Sequence, residues 1–392
     1  MTGPLDGLVI LDLSRILAGP TCTQLLGDLG AEVIKIESPE QGDDTRSWGP
    51  PFAMDANGNP TDLSAYFMCA NRNKKSVVVD LTDPEGQKAL FKLAGRADVV
   101  IENFKPDGLK KYGLDHDTLC AAYPGLVYCS ISGFGQTGPN REKPGYDLMA
   151  QGFGGIMSIT GEAGREPMKV GVGIADVVCG LYATVGILAA LRHRDATGEG
   201  QHIDLALVDT QMSWLINQGL NYLTSGNVPT RAGNAHPNIV PYQVFETSDG
   251  YVIVAVGNDS QYTRFCDFIG KPDWATDPRF ATNTARLSNR EILVPMISEV
   301  LRGLTTTAVI EGLEIRKVPV GPVNTLEGAL RSDQAAAREM TISMPAPQTG
   351  KGEVELLGNP LKFSRTPVSY RCAPPSLGAD TKAVLNDLKE GD

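Results

Sequence analysis

GLVILDLSRILAGPTCTQLLGDLGAEVIKIE, residues 7–37, decides the fold. Gly7–Leu13 is a β-branched and aliphatic run of the kind that forms a buried strand. Pro20–Leu29 has helical spacing and ends on Gly30 in the C′ position, where only glycine turns left-handed at no cost. Glu32–Glu37 alternates polar and apolar residues as a strand does. A strand, a helix and a second strand joined this closely make a βαβ unit, which implies parallel strands.

Further along the chain the same alternation recurs. Val77–Leu81 reads as a strand, Asp83-Pro84-Glu85 opens a helix with a cap and a first-turn proline, and Asp98–Glu102 and Leu126–Ser132 are two more short buried strands. The glycine-rich residues 133–175 read as loop and turn, followed by long helices over Asp176–Arg194 and Asp204–Ser225. A hairpin turning at Asp249-Gly250 then opens a different texture, with helices over Ser260–Ile269, Asn289–Leu301 and Thr307–Glu314. The expected class is α/β: a Rossmann-like parallel-sheet large domain with a smaller α+β domain. Expected boundaries are 1–200 for the large domain, 201–225 for a connecting helix and 226–325 for the small domain. Residues 326–392, extended and rich in proline and glycine at first, are expected to return to the large domain.

The chain has 392 residues and a formal net charge of −11, with 35 Lys+Arg against 46 Asp+Glu. That balance disfavours nucleic acid and an anionic membrane surface as partners, though not a small anion held in a local basic pocket. The start carries no basic n-region, so no signal peptide is expected. The longest apolar stretch, Val177–Leu191, is fifteen residues, short of the about 20 that span a bilayer. Seven cysteines without a CxxC pair and four histidines without ligand spacing predict a cytoplasmic protein with no metal site.

Individual residues carry two readings each. Gly133-Phe134-Gly135-Gln136-Thr137-Gly138 matches GxGxxG, but Pro139 and Pro144 follow where a dinucleotide site needs a helix, so a tight loop near a ligand fits better. Asn71–Lys75 is either a solvated turn or a phosphate anchor. Asp176 precedes the long apolar helix: it is either an N-cap or, with little around it to solvate it, a nucleophilic carboxylate. Asp147, beside Tyr146, is either a turn residue bonding its own backbone or a second polar group of a site. Arg15 lies at the carboxyl end of the first strand, where ligands of open α/β sheets bind, and Arg46 lies beside Trp48. Either guanidinium suits a bidentate carboxylate pair; the alternative is a salt bridge, with Asp43 and Asp44 at hand for Arg46.

Taken in order, LDLSRILAGP, LGDLGAEVIKIE, GDDTR, NRNKKSVVVDL, ADVVIENFKP, SISGFGQTGP, GYDLMAQGFGG and the segment 173–204 resemble the class III CoA-transferases, the CaiB–BaiF family. The likeness spans essentially the whole chain. RILAGP, GDDTRSWGPPF, NRNKKS and HPNIVPYQVF bring it nearest to members that handle dicarboxylates, the succinate–hydroxymethylglutarate type.

The resemblance implies an interlaced homodimer that moves CoA from a dicarboxylyl-CoA, succinyl-CoA foremost, to an acceptor acid through an aspartyl anhydride and an enzyme thioester. It assigns the nucleophile to Asp176. CoA contacts would fall at Ile16, Leu17 and Ala18, at Val79 and Thr82, at Asn103, Phe104 and Lys105, at Lys111 and along the turn 143–147. Substrate contacts would fall at Arg15, Arg46, Tyr146, Asp147 and His236. CoA enters and leaves as part of substrate and product, so no separate cofactor is implied. Leu17 stands where formyl-CoA transferases carry Gln, and Tyr146 where acyl-CoA racemases carry His; both departures disfavour those alternatives. Segments 152–164 and 226–241 are candidate lids over a water-sensitive intermediate. The alternatives are a formyl-CoA-type transferase or acyl-CoA racemase on the same fold and, from another class, a non-catalytic acyl-CoA-binding protein.

Overall fold

A computed structural model describes residues 3–390. They form two compact units, the first from residues 3–156, 169–225 and 333–390, the second from Met157–Met168 and Gly226–Ser332.

The first unit is built on six parallel strands: β1 (Val9–Asp12), β2 (Glu32–Glu37), β3 (Lys74–Val78), β4 (Val99–Glu102), β5 (Val127–Ser132) and β6 (His202–Ala206). Their spatial order is β3-β2-β1-β4-β5-β6, the arrangement in which a doubly wound sheet reverses direction between its first and fourth strands. One face is covered by α1 (Ala18–Asp28), α4 (Ile174–Thr197) and α5 (Leu207–Ser213), and the other by α2 (Pro84–Arg96), the helix His116–Ala122 and the C-terminal α6 (Thr381–Glu390). A further helix, α3 (Asp147–Phe153), lies in the segment expected to be loop and contacts α4 and α5.

Local signals and structure agree closely for β2 and for α2, whose Asp83 accepts from Glu85 N–H with Pro84 in the first turn. The third strand lies three residues earlier than expected. β6 differs in kind: Asp204 was expected to start a helix, but His202–Ala206 is the edge strand and the helix begins at Leu207. In HIDLA the apolar Ile203 and Leu205 alternate with His202 and Asp204, a period-2 stretch that runs straight into an apolar helix and so loses its boundary.

α1 and α4 pack closely because small residues face each other. A Cβ on Gly180 would lie 2.6 Å from the Ala18 carbonyl oxygen. By length and composition α4 is the one described helix able to cross a membrane; half of its most apolar window is buried in the protein.

Residues 333–390 complete the first unit. Strands Thr341–Pro345 and Glu353–Leu357 pair with each other, and α6 docks on β3, where Ser76 N–H donates to Asp380 and Val78 N–H to Thr381 Oγ1. The second unit has its own core, in which Val252, Phe265, Leu293, Ile297 and Leu313 are buried under the antiparallel strands Tyr242–Glu246, Tyr251–Ala255 and Val320–Pro322. The two candidate lid segments meet within it, Gly233 N–H donating to Gly161 O at 3.0 Å.

Candidate active site

The loops that follow β1, β4 and β5 enclose a cavity of about 470 Å³. It opens where the sheet reverses direction, the position at which open α/β sheets bind ligands. After β1 come Arg15–Ala18, after β4 Asn103–Pro106 and Gly108, and after β5 Ser132 and Gly133. Lys111, Tyr112, Lys143–Tyr146, Asp176 and Leu207 complete much of the wall. Arg15, Lys105, Lys111 and Lys143 make this wall cationic in an acidic protein.

Buried charge holds the first loop. Asp12 accepts from Ser14 N–H and Thr23 Oγ1 and pairs with Lys74; Lys35 pairs with Asp43 at 2.8 Å and donates to Ser14 O at 2.9 Å. Asp43 in turn accepts from Ile16 N–H, and Asn103 both accepts from Arg15 N–H and donates to Arg15 O. Ile16 sits at φ +71°, a conformation that costs a β-branched residue energy and persists only where surroundings impose it. Salt bridges this deep are weak evidence for stability but strong constraints on geometry.

Asp176 lies in the first turn of α4 without being its cap, which is Gly173. Its carboxylate is half-buried and lines the cavity, and among the described residues none hydrogen-bonds it. Loss of water, and secondarily the charge of Asp147, push it up to about 7. Asp147 does not bond its own backbone: Oδ1 accepts from Ala175 N–H at 2.8 Å and Oδ2 from Gln151 Nε2 at 2.7 Å. Glycines make the wall thin opposite, since a Cβ on Gly133 would stand 2.4 Å from the Gly145 Cα. Under the second loop Glu102 accepts from Phe104 N–H at 2.7 Å, and burial raises it to about 7.

Thirteen expected residues thus share one cavity: Arg15, Ile16, Leu17, Ala18, Asn103, Phe104, Lys105, Lys111, Lys143, Pro144, Gly145, Tyr146 and Asp176. Others stand elsewhere. Arg46 is a correction: its guanidinium is buried and saturated by Glu37, Asp62 and the Pro375 carbonyl, with Phe67 stacked at 3.8 Å, so it holds the fold and has no donor left for a substrate. Val79 is buried in the core and Thr82 caps back onto Asp80; neither lines the cavity. His236 belongs to the second unit, where its Nδ1 accepts from Asn238 N–H. Within the basic knot Arg72 and Lys74 are buried and bound to Asp28 and Asp12, whereas Lys75 is exposed and pairs with the exposed Glu32.

Sequence reasoning missed three residues. Tyr66 feels Asp176: burial and then that carboxylate push its phenol up to about 12, and nothing local in LSAYF signals it. Glu102 ends a strand and was read only as such. Gln151 was findable, standing one helical turn after Asp147.

The family model for CoA-transferase family III matches residues 5–381. A succinate–glutarate CoA-transferase of Agrobacterium fabrum is 46% identical over 98% of this chain and 96% of its own. A human succinyl-CoA:glutarate CoA-transferase is 39% identical over 99% and 87% respectively. Among solved structures, a CaiB/BaiF family protein from Brucella suis superposes with a TM-score of 0.87 at 47% identity, covering 99% of this chain and all of that one.

Proposed function

The chain belongs to CoA-transferase family III, and from that membership we propose that it moves CoA from succinyl-CoA to a second carboxylic acid, a five-carbon dicarboxylate such as glutarate, with Asp176 as nucleophile. The observation that carries the reading is the Asp176 carboxylate, unpartnered in a cation-lined cavity at the sheet's reversal point. An oxygen of Asp176 attacks the thioester carbonyl, the C–S bond breaks and the CoA thiolate leaves with the electron pair. The product is a succinyl–aspartyl anhydride. Attack of the thiolate on the aspartyl carbonyl releases succinate and leaves an enzyme thioester. The acceptor carboxylate then repeats both steps in reverse order, restoring Asp176. Charge and atoms balance without redox change, and CoA enters and leaves as part of substrate and product.

Lys105, Lys111 and Lys143 suit the phosphates of CoA. Arg15 suits the distal carboxylate of the diacid, since its guanidinium is largely exposed and, among the described residues, engaged by the part-exposed Asp44. Leu181, Tyr182 and Val185 on α4, with Ile216, Leu220 and Leu223 on the helix Ile216–Ser225, leave apolar side chains exposed, which supports a homodimer in which a second copy covers them. Seven unpaired cysteines support a reducing, cytoplasmic setting.

Hydroxylamine added during turnover with succinyl-CoA and glutarate should convert Asp176 to a hydroxamate, read by peptide mass. Asp176→Ala should abolish exchange in a protein that still melts cooperatively. An unmodified Asp176 peptide would overturn the covalent reading. A matrix of donors and acceptors, read by the mass of the acyl-CoA products, identifies the acid. Arg15→Ala should lower kcat/KM for succinyl-CoA by about tenfold or more while sparing a monocarboxylic acyl-CoA; equal loss on both would remove Arg15 from diacid recognition.

A further inference from the structure

Asp147 has no step in that scheme, yet it is the charged group tied most directly to the entry of α4. Its two oxygens are taken by Ala175 N–H and Gln151 Nε2, and Gln151, wholly buried, accepts in turn from Val170 N–H at 2.9 Å. One carboxylate and one amide on α3 therefore hold the chain at Val170 and again at Ala175, and the next residue is Asp176. The space between is tight: a Cβ on Gly173 would come to 3.0 Å from the Leu17 side chain and 3.7 Å from the Asp147 carboxyl carbon.

Resting on the reading of Asp176 as nucleophile, we propose that Asp147 is its positioning residue, fixing the α4 entry with Gln151 and setting a like charge behind the nucleophilic carboxylate. Groups facing Asp176 are Tyr66 from the turn after Ser64, Cys179 on its own helix, Asp147 on α3, and the cavity cations Arg15, Lys105, Lys111 and Lys143. Of these, Asp147 is the one whose charge raises Asp176. The repulsion exists while Asp176 is ionised and vanishes once its charge has passed to the CoA sulfur. It therefore destabilises the state before attack more than the state after it, which speeds the chemical step. Asp147 touches no reacting atom in doing so; its two oxygens are already occupied by protein donors.

Asp147→Asn removes the charge while its Oδ1 still accepts from Ala175 N–H; the Gln151 contact goes with the charge, because an amide nitrogen cannot accept from Gln151 Nε2. Expected is an acid limb of the kcat–pH profile displaced to lower pH, with KM for succinyl-CoA within about twofold of wild type. Asp147→Ala loses the tether as well and should lower kcat by on the order of 10². Asp147→Glu, which retains the charge, should keep the acid limb where wild type has it. An Asp147→Asn enzyme with an unmoved acid limb would overturn the proposal, and it can be read even if the alanine variant does not fold. Hydroxylamine trapping on wild type distinguishes the failures. No adduct at Asp176 sinks the nucleophile reading itself, whereas an adduct with an unmoved Asp147→Asn profile sinks the positioning role alone.

Discussion

Asp176 and Glu102 both stand near 7 because burial strips water from a carboxylate and no cation pairs with it to offset the loss. For Asp176 the consequence is kinetic: as the proposed nucleophile it must be ionised, so kcat/KM should rise with pH through about 7 and level off above it, and a flat profile between pH 5 and 8 would contradict this. For Glu102 the consequence is stability. Its folded value lies above the ordinary 4.5, so the folded state holds the proton more tightly. Its contribution is therefore complete below about pH 4.5 and is lost as pH rises through about 7. Glu102→Gln keeps an acceptor for Phe104 N–H without the charge. It should gain roughly 1–3 kcal/mol on wild type between pH 5 and pH 8, read from urea midpoints; parallel curves would contradict it. Arg46 carries the opposite lesson. Its position next to Trp48 suggested substrate, but three acceptors already fill its donors, and Arg46→Ala should cost about 3–5 kcal/mol by leaving Glu37 buried without its partner.

At the scale of elements, strands and helices with a strong local period were legible and those defined by their neighbours were not. β2 alternates cleanly, and α2 announces itself through Asp83-Pro84. β6 is an edge strand whose identity comes from pairing with β5, Tyr128 opposite His202 and Ser132 opposite Ala206, so its residues alone read as the start of the next helix. The loop after β1 was legible as a ligand site from its place at a strand end. Its shape was not, because Lys35, Asp43 and Asn103 set it from other strands and loops. Gly145 is an element-scale test: a Cβ there would stand 2.2 Å from the Gly133 Cα. Gly145→Ala should therefore push the loops after β5 and before α3 apart, raising KM for succinyl-CoA with a stability loss of about 1–3 kcal/mol. Unchanged KM would show that this crossing does not shape the cavity.

In the whole molecule, the order β3-β2-β1-β4-β5-β6 explains why residues as distant as Arg15, Asn103, Gly133 and Asp176 reach one cavity. The second unit's core draws on residues between Val240 and Val318 alone. A fragment covering 226–332 should accordingly unfold cooperatively in urea, and a non-cooperative transition would show that its core needs the rest of the chain. Removing α6 should destabilise the first unit by about 3–6 kcal/mol through loss of the buried Val384 and Leu388, seen as a lower melting temperature. The sequence by itself determined the α/β class, most strands and helices, the family likeness and the candidate nucleophile. These rest on local periodicity, capping chemistry and motif spacing, which the chain carries residue by residue. Tertiary structure alone decided that Arg46, Arg72 and Lys74 are buried braces and that Asp147 ties down α4. It also decided that Asp176 is half-buried without a hydrogen-bond partner. Each of those depends on which distant charge or amide arrives beside a side chain and how much water is left, and no local pattern encodes that.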